Sequence, residues 1–118
     1  MKVVRSRPLS IPEVYKMLVE TGLGESYPEL LSFLEQFMKI DPDKASEARR
    51  EIAALLEPFV PRQEERDKLV VQLINAAPET PDEIRSLLLH SPHRLVLTPE
   101  HIKQLHDIIN KYRKPQGK

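Results

Sequence analysis

The sequence predicts an all-α protein of about six short helices, preceded by a strand-like segment at its N-terminus. Three observations carry this. Cap residues stand one or two positions before prolines at intervals along the chain. Apolar residues recur at three- and four-residue spacing between those points. Glycine occurs 3 times against 11 prolines, and six of those prolines fall where a helix would begin.

The first helix is expected over 11–21. Ser10-Ile11-Pro12-Glu13 has the form of a capping box, in which the hydroxyl and the glutamate satisfy the orphan N–H groups of the first turn. Ile11, Val14 and Leu18 share one face, and Gly22 is placed to terminate the helix in the left-handed conformation. Ser26-Tyr27-Pro28-Glu29 repeats the box pattern, and Leu30, Leu34, Phe37 and Met38 continue a helix over 27–40. Asp41-Pro42-Asp43 supplies a cap, a first-position proline and an acid at the positive end of the dipole, opening a helix over 42–57 with Ala45, Ala48, Ile52, Leu55 and Leu56. Pro58 stops it.

Pro61 is expected to open a helix over 62–77 that carries Leu69, Val70, Leu73, Ile74 and Ala77 and ends at Pro78. Its start, Glu64-Glu65-Arg66-Asp67-Lys68, reads as a solvated first turn. Thr80-Pro81-Asp82-Glu83 combines a cap, a first-position proline and a box for a helix over 81–89, with Ile84, Leu87 and Leu88. Thr98-Pro99-Glu100 opens the last helix, over 99–113, with Ile102, Leu105, Ile108, Ile109 and Tyr112. Phe59-Val60, between two prolines, is the expected hinge between an N-terminal half, 1–60, and a C-terminal half, 61–118.

Met1 to Leu9 breaks the helical pattern. Its β-branched residues followed by Pro8 read as a short strand. Leu95-Val96-Leu97 is the one other strand candidate. Two readings stand for this segment: a frayed terminus, or a strand donated to the sheet of another chain.

Composition narrows the function. Lys plus Arg and Asp plus Glu are both 18, so a net charge of zero excludes a protein that grips duplex DNA by charge alone. Hydrophobic residues at 40% and charged residues at 31% describe a globular chain. No apolar run approaches the length of a membrane span or of a signal-peptide core, so a cytoplasmic location is expected. With 0 cysteines there is no disulfide, thiolate site or cysteine nucleophile.

Three glycines leave no phosphate-cradling loop. Of the four histidines, His90 and His93 flank a Ser-Pro loop, and His101 and His106 are not at i,i+4 spacing. A loop and a helix histidine could share a metal, but no ligand motif surrounds them, and neither cofactor nor catalytic residue is expected. Phe33, Phe37 and Phe59 lie among apolar neighbours and are expected in the core. The basic cluster Lys111, Arg113, Lys114 and Lys118 reads either as cations on a helix C-terminus or as phosphate contacts. The helix over 62–77 is apolar on more than one stripe, and Leu87-Leu88-Leu89 are consecutive. This apolar surplus predicts a partner-binding module.

Two stretches are distinctive: the run from Ala77 to Leu88, APETPDEIRSLL, and the ending Leu97-Thr98-Pro99-Glu100 followed by Ile108-Ile109-Asn110-Lys111-Tyr112-Arg113. Together, in their order and spacing, they resemble the F-type stalk subunit of archaeal DNA-directed RNA polymerase, the counterpart of the fourth subunit of the eukaryotic enzymes. The resemblance covers nearly the whole chain and gives the C-terminal half the character of an HRDC-type helical domain. It implies a non-catalytic stalk subunit that pairs with the E-type stalk subunit of the same polymerase. The heterodimer would project from the polymerase core near the RNA exit path and support promoter opening and handling of emerging transcript.

The resemblance further implies that Val3, Val4 and Arg5 add a strand to the E-type partner, with Leu9, Ile11 and Val14 packing beside them. It implies that Arg85, Lys111, Arg113 and Lys114 are auxiliary phosphate contacts. A free-standing HRDC-type nucleic-acid-binding module is the alternative. An unrelated helical adaptor and an independent enzyme are the remaining ones.

Overall fold

The computed structural model describes residues 8–92 and 94–114 and is all-helical among them. Seven α-helices follow one another: α1 (Ile11–Thr21), α2 (Leu23–Ser26), α3 (Pro28–Phe37), α4 (Ala45–Leu56), α5 (Gln63–Ala76), α6 (Pro81–Leu89) and α7 (Pro99–Lys111). A 3-10 turn, Pro42–Lys44, leads into α4. The strand-like segment expected at the N-terminus falls mostly on residues 1–7, outside the described residues. Leu95-Val96-Leu97 forms no strand; the Leu95 N–H instead donates to the Leu88 carbonyl at 3.0 Å.

Local chemistry sets the helix starts. Ser10 and Thr80 head capping boxes at α1 and α6. The Thr80 hydroxyl accepts from the Glu83 N–H at 3.1 Å, and Glu83 Oε1 accepts from the Thr80 N–H at 3.1 Å. Asp41 Oδ1 accepts from the Asp43 N–H at 2.9 Å, and Thr98 Oγ1 from the His101 N–H at 3.2 Å. Gly22 ends α1 at φ 79°, where a Cβ would be strained.

Four expectations are corrected. Ser26 does not cap a helix; it is the last residue of the extra short helix α2, and Tyr27 is the N-cap of α3 at φ −133°. The physical reason is Pro28, which disfavours helical geometry at the residue before it. The helix expected over 27–40 ends at Phe37, and the one expected over 42–57 begins as the 3-10 turn. Pro61 lies ahead of α5, whose N-cap is Arg62. The end of α5 is carried by Ala77 at φ 40°, a left-handed position held by a residue that is not glycine.

A single buried cluster runs from Ile40 to Tyr112, drawing residues from both sides of Val60. Helix α5 lies inside it, packed on α4, while α7 packs on α4 and α6. Leu69, Val70, Leu73 and Ile74 of α5 are all buried, so its several apolar stripes are absorbed within this chain. The C-terminal end of the described chain closes the cluster. The Asp41 N–H donates to the Tyr112 carbonyl at 2.9 Å, and the Lys114 N–H to the Lys39 carbonyl at 2.7 Å, in a one-residue antiparallel bridge between Ile40 and Arg113. The Tyr112 hydroxyl donates to Glu51.

Helices α1, α2 and α3 bury little, although α1 packs against α4, α5 and the 3-10 turn. Pro12 and Gly24 are their only buried residues, and α3 buries none.

Candidate partner-binding surface

An amphipathic helix must cover its apolar stripe, and α1–α3 leave much of theirs to solvent. Met17 and Val19 of α1, Leu23 of α2 and Leu30, Phe33 and Phe37 of α3 are all 41–56% exposed. Leu9 before α1 is 40% exposed, and Tyr27 between α2 and α3 is 58% exposed. Among the described residues, eight of the eleven exposed large apolar side chains thus fall between residues 9 and 37. The three helices pack on one another, and the Phe33 and Phe37 rings lie 5.0 Å apart at 53°. This concentration marks an interaction surface rather than scattered exposure.

The expectation that Phe33, Phe37 and Phe59 belong to the core is therefore corrected. Phe59 is 37% exposed, with its ring edge-on to His101 at 4.9 Å. Of the face that periodicity gave this helix, Met38 is buried and Leu34 half-buried, while Leu30 and Phe37 stay exposed together with Phe33, which was not on it. The surplus sits on α1–α3, not on α5, although Leu89 of the Leu87-Leu88-Leu89 run is half exposed.

Beside the buried Pro12, a polar network joins α1 to the core. Arg49 of α4 is buried, with its side chain 7% exposed. Its Nε donates to Glu13 Oε2 at 2.8 Å and its Nη2 to Glu13 Oε1 at 2.7 Å, a two-pronged guanidinium–carboxylate pair. Nη2 also donates to the Pro8 carbonyl at 2.7 Å. Nη1 lies 3.7 Å from Asp67 Oδ1 of α5 and makes no hydrogen bond.

The Ser10 N–H and hydroxyl each donate to Glu13 Oε1 at 2.8 Å. From α5, Asn75 Oδ1 accepts the Ile11 N–H at 2.8 Å. Burial alone would raise the pKa of Glu13. The Arg49 bonds, followed by those from Ser10, outweigh that and hold its carboxyl below the ordinary value. The charge run Glu64 to Lys68 is correspondingly not a fully solvated turn: Asp67 faces Arg49, and Arg66 donates to the Val60 and Pro61 carbonyls at 3.0 and 3.1 Å.

Arg49 and Asn75 were not among the residues that sequence reasoning singled out, and Asp67 entered it only as part of a solvated charge run. A signal existed for Arg49, which shares the α4 stripe of Ala45, Ala48, Ile52 and Leu56, where an apolar residue is the default.

The residues expected to bind the E-type stalk partner divide. Val3, Val4 and Arg5 lie outside the described residues. Leu9 is exposed, while Ile11 and Val14 are half-buried along α1.

Of the expected phosphate contacts, Arg85 lies on α6 and pairs with Asp82 at 2.7 Å. The other three gather at the end of α7. The Lys111 ammonium bonds Glu51 at 3.0 Å, and Lys114 Nζ donates to the Glu35 carbonyl at 3.3 Å. Arg113 donates to the Ala77 and Pro78 carbonyls at 3.1 Å each, satisfying acceptors at the end of α5. The four cations are thus used within the fold.

The described histidines do likewise: His106 Nε2 lies 2.8 Å from the Glu79 carbonyl, and His90 Nδ1 lies 2.8 Å from that of Ser86. Among the described residues no three His, Asp or Glu side chains are placed to hold a metal. No described helix is long and apolar enough to cross a membrane. No protein-family model and no curated protein matches the chain.

Proposed function

We propose that this chain is a non-catalytic stalk subunit of an archaeal DNA-directed RNA polymerase, of the F type. It forms a heterodimer with the E-type stalk subunit, joins the polymerase core through that pairing, and supports promoter opening and the handling of emerging transcript in the cytoplasm. The apolar surface of α1–α3 carries the proposal. A helical chain with a complete core of its own has no internal use for eight exposed large apolar residues at one end. A permanent partner chain does.

The same reading gives the chain no cofactor and assigns nucleotidyl transfer to other subunits. The engagement of Arg113 and Lys114 with backbone carbonyls supports weak or indirect contact with RNA.

Co-expression with the E-type subunit of the same host tests the proposal, using the full chain and a variant lacking residues 1–9. A one-to-one complex weakened by the deletion supports both the assignment and strand donation. A complex indifferent to the deletion keeps the assignment and leaves the helical surface as the interface. No complex refutes the stalk assignment and favours the free-standing HRDC-type nucleic-acid module.

A further inference from the structure

We infer that the partner face meeting α1–α3 is apolar at its centre and carries lysine or arginine side chains around it, and that Glu25 and Glu29 draw those cations in. The inference rests on the stalk reading above and gives the docking face of the E-type subunit a chemistry.

The exposed apolar surface carries charge of one sign. From Met17 to Met38 the chain has four glutamates, Glu20, Glu25, Glu29 and Glu35, and no lysine, arginine or histidine. The whole chain, by contrast, balances 18 basic residues against 18 acidic ones. The same stretch holds seven of the eleven exposed large apolar side chains found among the described residues. At the corner between α2 and α3, Glu25 and Glu29 lie between Leu23, Tyr27 and Leu30, and all five are exposed.

Cations within the fold meet only part of this charge. Lys16 lies 3.9 Å from Glu20, and Lys114 Nζ donates to the carbonyl of Glu35, whose side chain accepts from the Tyr15 hydroxyl. Glu25 and Glu29 make no ion pair and no side-chain hydrogen bond among the described residues. The dipole of α3 favours Glu29 in its first turn, but α2, with four residues, offers Glu25 no comparable field.

That charge decides among occupants. The phosphates of a nucleic acid and the anionic headgroups of a membrane would be repelled. A second copy docking through the same patch on a two-fold axis would set carboxylate against carboxylate. A protein face with an apolar centre and a cationic rim answers both features at once. A groove adds a seat for one such cation. Val19, itself one of the exposed apolar residues, lines it with Tyr15, Lys16, Glu20, Pro42 and Asp43, in a volume of about 360 Å³. Its apolar walls suit the stem of a lysine or arginine and its carboxylates suit the head. Lys16 answers Glu20 and leaves Asp43 without an ion pair among the described residues.

The test is the rate of association between the full chain and the E-type stalk subunit, by stopped flow, across ionic strength. Raising ionic strength from about 0.01 M to about 1 M shortens the reach of a charge from about 30 Å to about 3 Å. The wild-type rate is expected to fall about tenfold over that range. At low salt, Glu25→Gln with Glu29→Gln is expected to slow association about threefold, Glu25→Lys with Glu29→Lys about tenfold, and Asp43→Lys about threefold. Glu57→Gln with Glu100→Gln makes the same change of net charge at exposed positions outside α1–α3, and is expected to leave the rate unchanged.

Equal slowing by the Glu57 and Glu100 pair would reduce the effect to net charge and overturn the inference. A rate indifferent to salt and to the Glu25 and Glu29 replacements, or one that rises when they are neutralised, would overturn it as well. So would a Glu25→Gln, Glu29→Gln chain that binds the E-type subunit as the wild type does but pairs with itself in sedimentation, since the carboxylates would then serve only to hold copies apart. In each of these cases the wild-type complex forms and the stalk reading stands. Failure of the wild-type chain to bind the E-type subunit would instead remove the stalk reading, and the inference with it.

Discussion

Replacing Glu13 with glutamine removes one charge from the buried pair while keeping the shape of the side chain. The amide oxygen can still accept from the Ser10 N–H, so that arm of the capping box survives. That oxygen, in the place of Oε1, also still accepts from Arg49 Nη2, while the amide nitrogen takes the place of Oε2 and faces the Nε donor, so the Nε bond is lost and the Nη2 bond loses its charge assistance. Breaking a buried ion pair from one side costs about 3–5 kcal/mol, because a charge is left uncompensated. Arg49 keeps the Pro8 carbonyl and the nearby Asp67, and the Glu13 side chain is 12% exposed, so the lower end applies: about 3 kcal/mol. For a chain of 118 residues this lowers the melting temperature by about 10 °C.

Urea unfolding at neutral pH, followed by circular dichroism, measures the loss as a shift in midpoint at constant slope. The pH dependence has a definite sign. The folded pKa of Glu13 lies below its ordinary value of 4.5, so the stabilisation is complete above that value and is lost as pH falls through the folded pKa. The gap between wild type and Glu13→Gln should be flat from neutral pH down to about pH 5 and close below it. A gap under about 1 kcal/mol at neutral pH, or one that widens on acidification, would refute an electrostatic attachment of α1.

Two further predictions separate surface from core and backbone from side chain. Phe33→Asp should change stability by no more than about 1 kcal/mol and abolish the complex with the E-type stalk partner, because its ring is half exposed and lies tilted against Phe37; a loss of about 3 kcal/mol or more in urea would place the ring in a core. Gly22→Ala should cost about 1 kcal/mol by the same assay, since φ is 79° yet nothing lies within 4 Å of the new Cβ; a neutral result would mean the backbone relaxes there without strain.

The amino-acid sequence by itself determined the punctuation of this fold. A proline at the first turn with a cap before it needs only its immediate neighbours to start a helix, and α1, α6 and α7 begin where Ser10, Thr80 and Thr98 say they should. Pro58 and Pro78 likewise lie just past the ends of α4 and α5. The apolar face of each helix was legible too, because it depends only on the 3.6-residue period.

What covers each face was decided by tertiary structure alone. The stripes of α5 are enclosed because α4 and α7 complete a core with it, while the face read for the helix of Leu30, Leu34, Phe37 and Met38 is divided, Met38 buried and Leu30 and Phe37 exposed. The same distinction governs the charges. Asp67 looks like its solvated neighbours in the sequence and turns inward only because Arg49, 18 residues earlier on another helix, is there to meet it. Local rules act along the chain and can be read from it. Pairing and burial act between distant segments, and are settled only when the helices are set against one another.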